Sequence, residues 1–195
     1  MTTTQPCSPR IARAPARRRF ALHRRHAEEG QGLVEFALVL TPLLLLLLGI
    51  VQFGFIFNTY ITVTNAAREA ARSGSIYVFD RTKTKSVNDT ARNDEIEASL
   101  LASLNGLAKA APNFANGSSW TSSINGTTAT FVDGDITITY ILPGNVTESD
   151  PRQGYRVTVR ATYHQDLIIP MISDLLPHDA GGRLPLTGEV TMVVN

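Results

Sequence analysis

The chain contains a single cysteine, which excludes a disulfide-stabilised domain and, from its position, a lipoprotein. Cys7 lies in an arginine-rich N-terminal arm, so the rest of the chain can form no disulfide within itself. Any domain outside the cell must therefore be stabilised by its own hydrophobic core. Cys7 also lies far upstream of the apolar run, whereas a lipoprotein-type signal needs a cysteine directly after such a run.

Catalytic motifs are absent too. The chain has four histidines, and none accompanies a G-x-S-x-G elbow, a zinc-binding pair at helical spacing or a phosphate-binding glycine loop. Asp133 and Asp135 flank a glycine, but no EF-hand ligand spacing follows, which favours a turn over a calcium site. The sequence therefore predicts no enzyme, no cofactor and no metal site.

Positive charge is concentrated in the first 29 residues. These residues contain seven arginines and two acids, Glu28 and Glu29, which gives the segment a net charge of +5. Since the whole chain has a net charge of +1, the rest of the chain has a net charge of −4. A basic flank ahead of a membrane span favours a cytoplasmic N-terminus. Arginine-rich arms also bind nucleic acid or resemble organellar transit segments. Because an apolar run follows directly, we favour the topological interpretation and predict no nucleic-acid partner.

The apolar run itself extends from Phe36 to Phe57 without a charged residue. About 22 residues at roughly 1.5 Å each give about 33 Å of helix, enough to cross a bilayer core. Leu43–Leu48 is apolar on every face, which excludes an amphipathic core helix. The run is too long for a cleaved signal peptide. We predict a transmembrane helix at 31–57, single-pass in the cytoplasmic (inner) membrane, with the N-terminus in and the C-terminus out.

Small and polar residues interrupt this span. Pro42 cannot donate to the carbonyl of Leu38 and is expected to kink or loosen the helix. Gly49 and Gly54 allow close approach of another helix, although glycine is common in such segments. Gln52 is polar at depth and can bond across an interface or within its own helix. We predict that Pro42, Gly49 and Gly54 contribute to helix packing.

One acid stands at the start of the span, where a lone carboxylate is costly unless it has a function. Gly30 precedes Gln31, and Glu35 and Phe36 follow within one turn and a half. This arrangement resembles the class III signal of type IV pilin-like proteins. Together with the span and the continuation Asn65–Gly74, it is most similar to the TadE-like pseudopilins of tight-adherence pilus systems.

The resemblance implies a function and its residues. Gly30 would be the last leader residue, and a prepilin peptidase would cut before Gln31. Glu35, with Phe36, would register an incoming subunit against a neighbour's N-terminus. The chain would be a minor subunit or assembly factor of the pilus, with other pilin or pseudopilin subunits, the assembly machinery and the lipid bilayer as partners. After assembly it would lie in an extracellular pilus.

Two features depart from the family pattern. Glu28 and Glu29 stand beside the proposed cut, where typical leaders have lysine or arginine. Gly32 offers a second register, but cleavage there would make Glu35 the third residue of the product, which does not match. The alternative function is an unprocessed single-pass membrane-anchored extracytoplasmic binding protein, which would retain its leader.

The chain beyond the span is expected to form a small α+β domain with an antiparallel sheet. We divide the chain into a basic leader (1–30), the span (31–57), a helix extension and connector (58–79) and an extracytoplasmic domain (80–195). In the extension, Val63, Ala67, Ala70 and Gly74 form a small-residue stripe that docks this domain or other subunits.

Within the domain, we predict a loop at Asp80–Asp89 and a second helix capped by Asp89 or Asn93 and stopped by Pro112. Its apolar face would comprise Ile96, Leu100, Leu101, Leu104, Leu107 and Ala108. Alternating residues predict strands at 128–132, 136–141, 155–163 and 189–194, with a hairpin at Asp133–Gly134. An apolar patch around Pro170, helical or irregular, is predicted at Leu167–Leu176.

Overall fold

The computed structural model describes residues 25–107, 119–168 and 176–195, with side chains from Gly30 onward. These ranges contain two helices and five strands: α1 (Arg25–Ser75), α2 (Lys85–Leu104), β1 (Thr121–Asn125), β2 (Thr128–Asp133), β3 (Ile136–Ile141), β4 (Arg156–Gln165) and β5 (Leu184–Val193). A long helix followed by an antiparallel sheet is the α+β fold expected from the sequence. The chain divides into two units, Met1–Leu44 and Leu45–Asn195.

The first unit contains the beginning of α1. Every described side chain between Gly30 and Leu44 is exposed apart from the partly buried Leu40. The helix continues through Pro42, and the Thr41 hydroxyl donates to the carbonyl of Ala37 at 2.8 Å. An apolar helix exposed all round needs lipid or other helices around it. By length and composition α1 can cross a membrane, which fits a single-pass membrane protein.

The second unit is built on an antiparallel sheet whose strands neighbour one another in chain order, β1 to β5. Two-residue turns connect β1 to β2 and β2 to β3, and they begin with Gly126 (φ 58°) and Gly134 (φ 54°). Glycine takes this left-handed conformation without a steric penalty. The hairpin predicted at Asp133–Gly134 is therefore confirmed.

One face of the sheet and the two helices enclose the core. Alternate residues of β3 and β4 point into it, and the apolar stripe of α2 packs with them, as its spacing predicted. The fully buried members from these elements are Ile96, Leu100, Ile138, Val157 and Val159. Helices on one side of an antiparallel sheet give a two-layer domain, which leaves the other face of the sheet exposed.

Helix α2 begins earlier than predicted. Thr84 is its N-cap, with the side-chain oxygen accepting from the Val87 amide, so the helix starts at Lys85 inside the predicted loop. Asp89 and Asn93, proposed as caps, are buried within the helix. The helix ends at Leu104, where Asn105 has a φ of 51°, rather than at Pro112. Pro112 and Ala108 lie outside the described residues.

The small-residue stripe of α1 docks on the chain's own domain. Val63, Ala67 and Ala70 are fully buried, and Gly74 is also buried. Gly188 of β5 permits a close approach of the α1 backbone, because a Cβ there would lie 2.9 Å from the Val63 carbonyl oxygen. A Cβ on Gly74 would lie 2.6 Å from Ile96 Cγ1. Space therefore requires glycine at Gly188, where the neighbouring atoms are backbone, whereas a larger residue at Gly74 would require the Ile96 side chain to move.

Hydroxyl side chains line the opposite face of the sheet. The strand register places Ser123, Thr130, Thr139, Thr158 and Thr191 in one row across all five strands. The hydroxyls of Thr158 and Thr191 lie 2.8 Å apart. This polar face explains why the strands alternate in sequence.

Candidate functional site at the start of helix α1

The residues proposed for processing and registration lie on consecutive turns of α1. Gly30, Gln31, Glu35 and Phe36 are all helical and exposed. The Gln31 side-chain amide donates to Glu35 Oε1 at 3.1 Å. The carboxylate therefore lies against the residue that directly follows Gly30.

The proposed cleavage position lies inside the helix. Since α1 begins at Arg25, the Gly30–Gln31 peptide belongs to its first turns. Glycine disfavours a helix by about 1 kcal/mol relative to alanine, and Gly32 adds a second such residue. A Cβ on either glycine would meet nothing within 4 Å among the described residues. Contacts with the described residues therefore do not require glycine at these two positions, and both weaken the helix locally.

The two glycines proposed for helix packing have open space beside them among the described parts of the chain. A Cβ at Gly49 or Gly54 would find nothing within 4 Å. Both positions thus leave room beside α1, and their role together with Pro42 stays a prediction.

Within the described residues, Gln52 bonds neither to another helix nor within its own helix, the two alternatives expected from the sequence. Its side chain is buried, and Oε1 accepts a hydrogen bond from the backbone amide of Ile168 at 2.8 Å. Two turns further along α1, the Thr59 hydroxyl donates to Gln165 Oε1 at 2.8 Å. The residues at the end of β4 therefore run alongside α1, which no local pattern indicated.

A buried ion pair connects α2 to the loop before β4. Arg152 donates to both carboxylate oxygens of Asp89, at 2.8 and 2.9 Å, and stacks over the Tyr140 ring at 4.9 Å. Burial is the largest single influence on the pKa of the Arg152 guanidinium and lowers it, but the hydrogen bonds to Asp89 and the charges of Asp89 and the two tyrosines together raise the pKa above its usual value. Burial raises the pKa of Tyr140, whose hydroxyl donates to Asn93. This network is structural.

The ion pair borders an open groove of about 430 Å³ between α2 and the β1–β2 hairpin. Ile124, Phe131 and Leu142 contribute apolar surface to it. Its two carboxylates already have cationic partners: Asp89 contacts Arg152, and Glu148 lies 3.4 Å from Lys85. The groove thus combines an apolar wall with neutralised charges.

His164 lies between two aspartates at the end of β4. Its Nε2 is 3.3 Å from Asp135 Oδ2, and its Nδ1 is 2.8 Å from Asp179 Oδ2. Backbone hydrogen bonds from Arg183 and Gly181 lower the pKa of Asp179. The two carboxylates face opposite ring nitrogens, so the three side chains cannot bind one metal ion together. Nowhere in the described ranges are three His, Cys, Asp or Glu side chains placed for a metal.

Comparison with known proteins addresses the helix alone. No curated protein and no solved structure matches this chain. The model of one family, described as TadE-like protein, matches residues 30–72, which span the proposed processing site and most of α1. Over this segment the chain is similar to TadE-like proteins, which confirms the suspected resemblance to that family.

Proposed function

We propose that this protein is a pilin-like subunit or assembly factor of a tight-adherence pilus, cut by a prepilin peptidase between Gly30 and Gln31. The observation that carries the proposal is the TadE-like match over residues 30–72, which covers the proposed cleavage position and the helix after it. The family is a structural and assembly family of the pilus, and we propose a non-enzymatic role for this chain. The leader stays in the cytoplasm and the sheet domain lies outside.

The chemistry of the new N-terminus supports this proposal. Cleavage would create an α-amine on Gln31, and the Gln31 side chain already contacts the Glu35 carboxylate at 3.1 Å. A buried amine needs a nearby anion to offset its desolvation. Glu35 supplies this anion in its own chain or to the next subunit, and in the second arrangement it registers one helix against another.

The local weakness of the helix supports access by the peptidase. A protease cleaves an extended backbone, so the first turns of α1 must unwind around Gly30. Two glycines within three residues lower the cost of this unwinding by about 2 kcal/mol relative to alanine. Since a Cβ at either position would meet nothing within 4 Å among the described residues, substitution there leaves the described contacts intact.

Processing is tested by N-terminal sequencing and intact mass of the protein extracted from membranes. We expect Gln31 as the first residue. Gly30→Ala should leave the leader attached and abolish piliation, whereas the matched Gly32→Ala should still be cut. A wild-type protein that retains Met1, or normal piliation of Gly30→Ala, would contradict the proposal and favour a permanently anchored binding protein.

Registration is tested separately with Glu35→Gln. Removal of the negative charge should leave cleavage intact, because the scissile bond is unchanged, but should abolish incorporation into pili. Processed protein would then accumulate in the membrane fraction. Normal incorporation of Glu35→Gln would show that the carboxylate does not register the subunits.

A further inference from the structure

The end of β4 runs along α1 towards the predicted span. Gln165 is hydrogen-bonded to Thr59, and Ile168 is hydrogen-bonded to Gln52. Gln52 lies seven residues closer to the start of α1 than Thr59 does. At 1.5 Å per residue these two levels lie about 10 Å apart along the helix axis. Because the sequence predicts that the span ends at Phe57, Ile168 lies beside helical residues expected to be in the bilayer.

The surface of α1 at this level is apolar. Phe53, Phe55 and Phe57 are 59%, 51% and 64% exposed, and Tyr60 one turn later is 48% exposed. Tyrosine is common at the membrane interface, and phenylalanine side chains of this exposure are costly in water. The bilayer therefore extends to about Phe57, and the chain beside Gln52 must be compatible with lipid.

Ile168 meets this condition. Its side chain is 60% exposed and apolar, and its backbone amide is satisfied by Gln52 Oε1. In lipid every backbone donor needs a partner within the protein. The side-chain carbonyl of this glutamine thus supplies an acceptor that lipid cannot. The polar residues His164 and Asp166 come shortly before Ile168, as expected where a chain passes from the headgroup region into the bilayer.

We infer that Leu167 and Ile168 enter the outer interface of the phospholipid bilayer beside α1, so that the sheet domain rests on lipid through a second contact. The inference rests on the membrane placement of α1 in the proposed function. It does not depend on processing by the peptidase. The domain would then be held at a defined height above the membrane before assembly.

The test uses the full chain with Cys7→Ser and one introduced cysteine, labelled with an environment-sensitive fluorophore and placed in phospholipid nanodiscs. Ile168→Cys is the test site, Leu45→Cys reports the span, and Asn145→Cys in the loop before β4 is the aqueous control. Trp120 fluorescence checks that each variant is folded. Quenching is measured with iodide in water and with nitroxide-labelled lipid.

We expect the label at Ile168 to be quenched by nitroxide lipid, as at Leu45, and to be severalfold less accessible to iodide than at Asn145. Iodide access equal to that of Asn145, while Leu45 is quenched by lipid, would overturn the inference alone. Protection from both quenchers would place Ile168 within protein and overturn it as well. Failure of lipid quenching at Leu45 would overturn the membrane placement itself, and the inference with it.

Discussion

Replacement of Gly188 by alanine should separate α1 from the sheet. The added Cβ would lie 2.9 Å from the Val63 carbonyl oxygen and 3.0 Å from two backbone atoms of Thr64, about 0.5 Å inside the 3.4 Å at which ordinary contact begins. These are helix backbone atoms, so no side-chain rotation relieves the overlap. Overpacking of this kind costs about 1–3 kcal/mol. The greater strand stability of alanine offsets about 0.5–1 kcal/mol, so a mid-range overpacking cost of about 2 kcal/mol leaves a net loss of about 1–1.5 kcal/mol.

The measurement is thermal unfolding of the full chain in detergent, followed by the fluorescence of Trp120. For a domain of this size the expected loss corresponds to a fall in Tm of roughly 2–8 °C. Gly144→Ala is the matched control, because a Cβ there meets nothing within 4 Å, and its Tm should stay near that of the wild type. A Gly188→Ala protein as stable as this control would refute the close approach of α1 to β5.

Three further substitutions and one control substitution test the domain. Asp89→Ala should lower the free energy of unfolding by about 3–5 kcal/mol, because it leaves the buried Arg152 without its anion. Glu148→Ala, which removes an exposed pair, should cost less than about 1 kcal/mol, and equal losses in urea unfolding would contradict the distinction. Burial raises the pKa of Glu97 above its ordinary 4.5, so the folded state favours the neutral acid. The free energy of unfolding therefore falls as pH rises from the ordinary pKa through the raised pKa of the folded protein. Glu97→Gln should therefore raise the Tm at neutral pH, with the gain disappearing below the ordinary value, whereas a gain independent of pH would exclude this cause. Gly74→Ala should lower the Tm by crowding Ile96, and an unchanged Tm would show that this side chain moves away freely.

Local patterns in the sequence were enough to predict much of the molecule. The span follows from an uninterrupted apolar run, whose length alone meets the thickness of a bilayer. The faces of α2 and of the central strands follow from periods of 3.6 and 2 residues, which depend only on backbone geometry. Gly30 and Glu35 were recognisable because both lie on one short segment whose spacing is itself the signal.

Local patterns failed where polar residues serve distant partners. The start of α2 was missed because Asp89 and Asn93 read as loop or cap residues, whereas Asp89 pairs with Arg152 and Asn93 accepts from Tyr140. The polar face of α2 is therefore stabilised only when the loop before β4 and strand β3 pack against it.

The composition and order of the residues thus determined that a basic N-terminal arm, an apolar helix and an alternating-strand domain follow one another. Only the tertiary structure decided that Ile168 supplies the partner of Gln52, 116 residues away in sequence, and that Gly188 lies against α1. These contacts depend on where a helix docks on a sheet and on strand register. Local sequence patterns predict neither, because the contacting residues lie far apart in the chain.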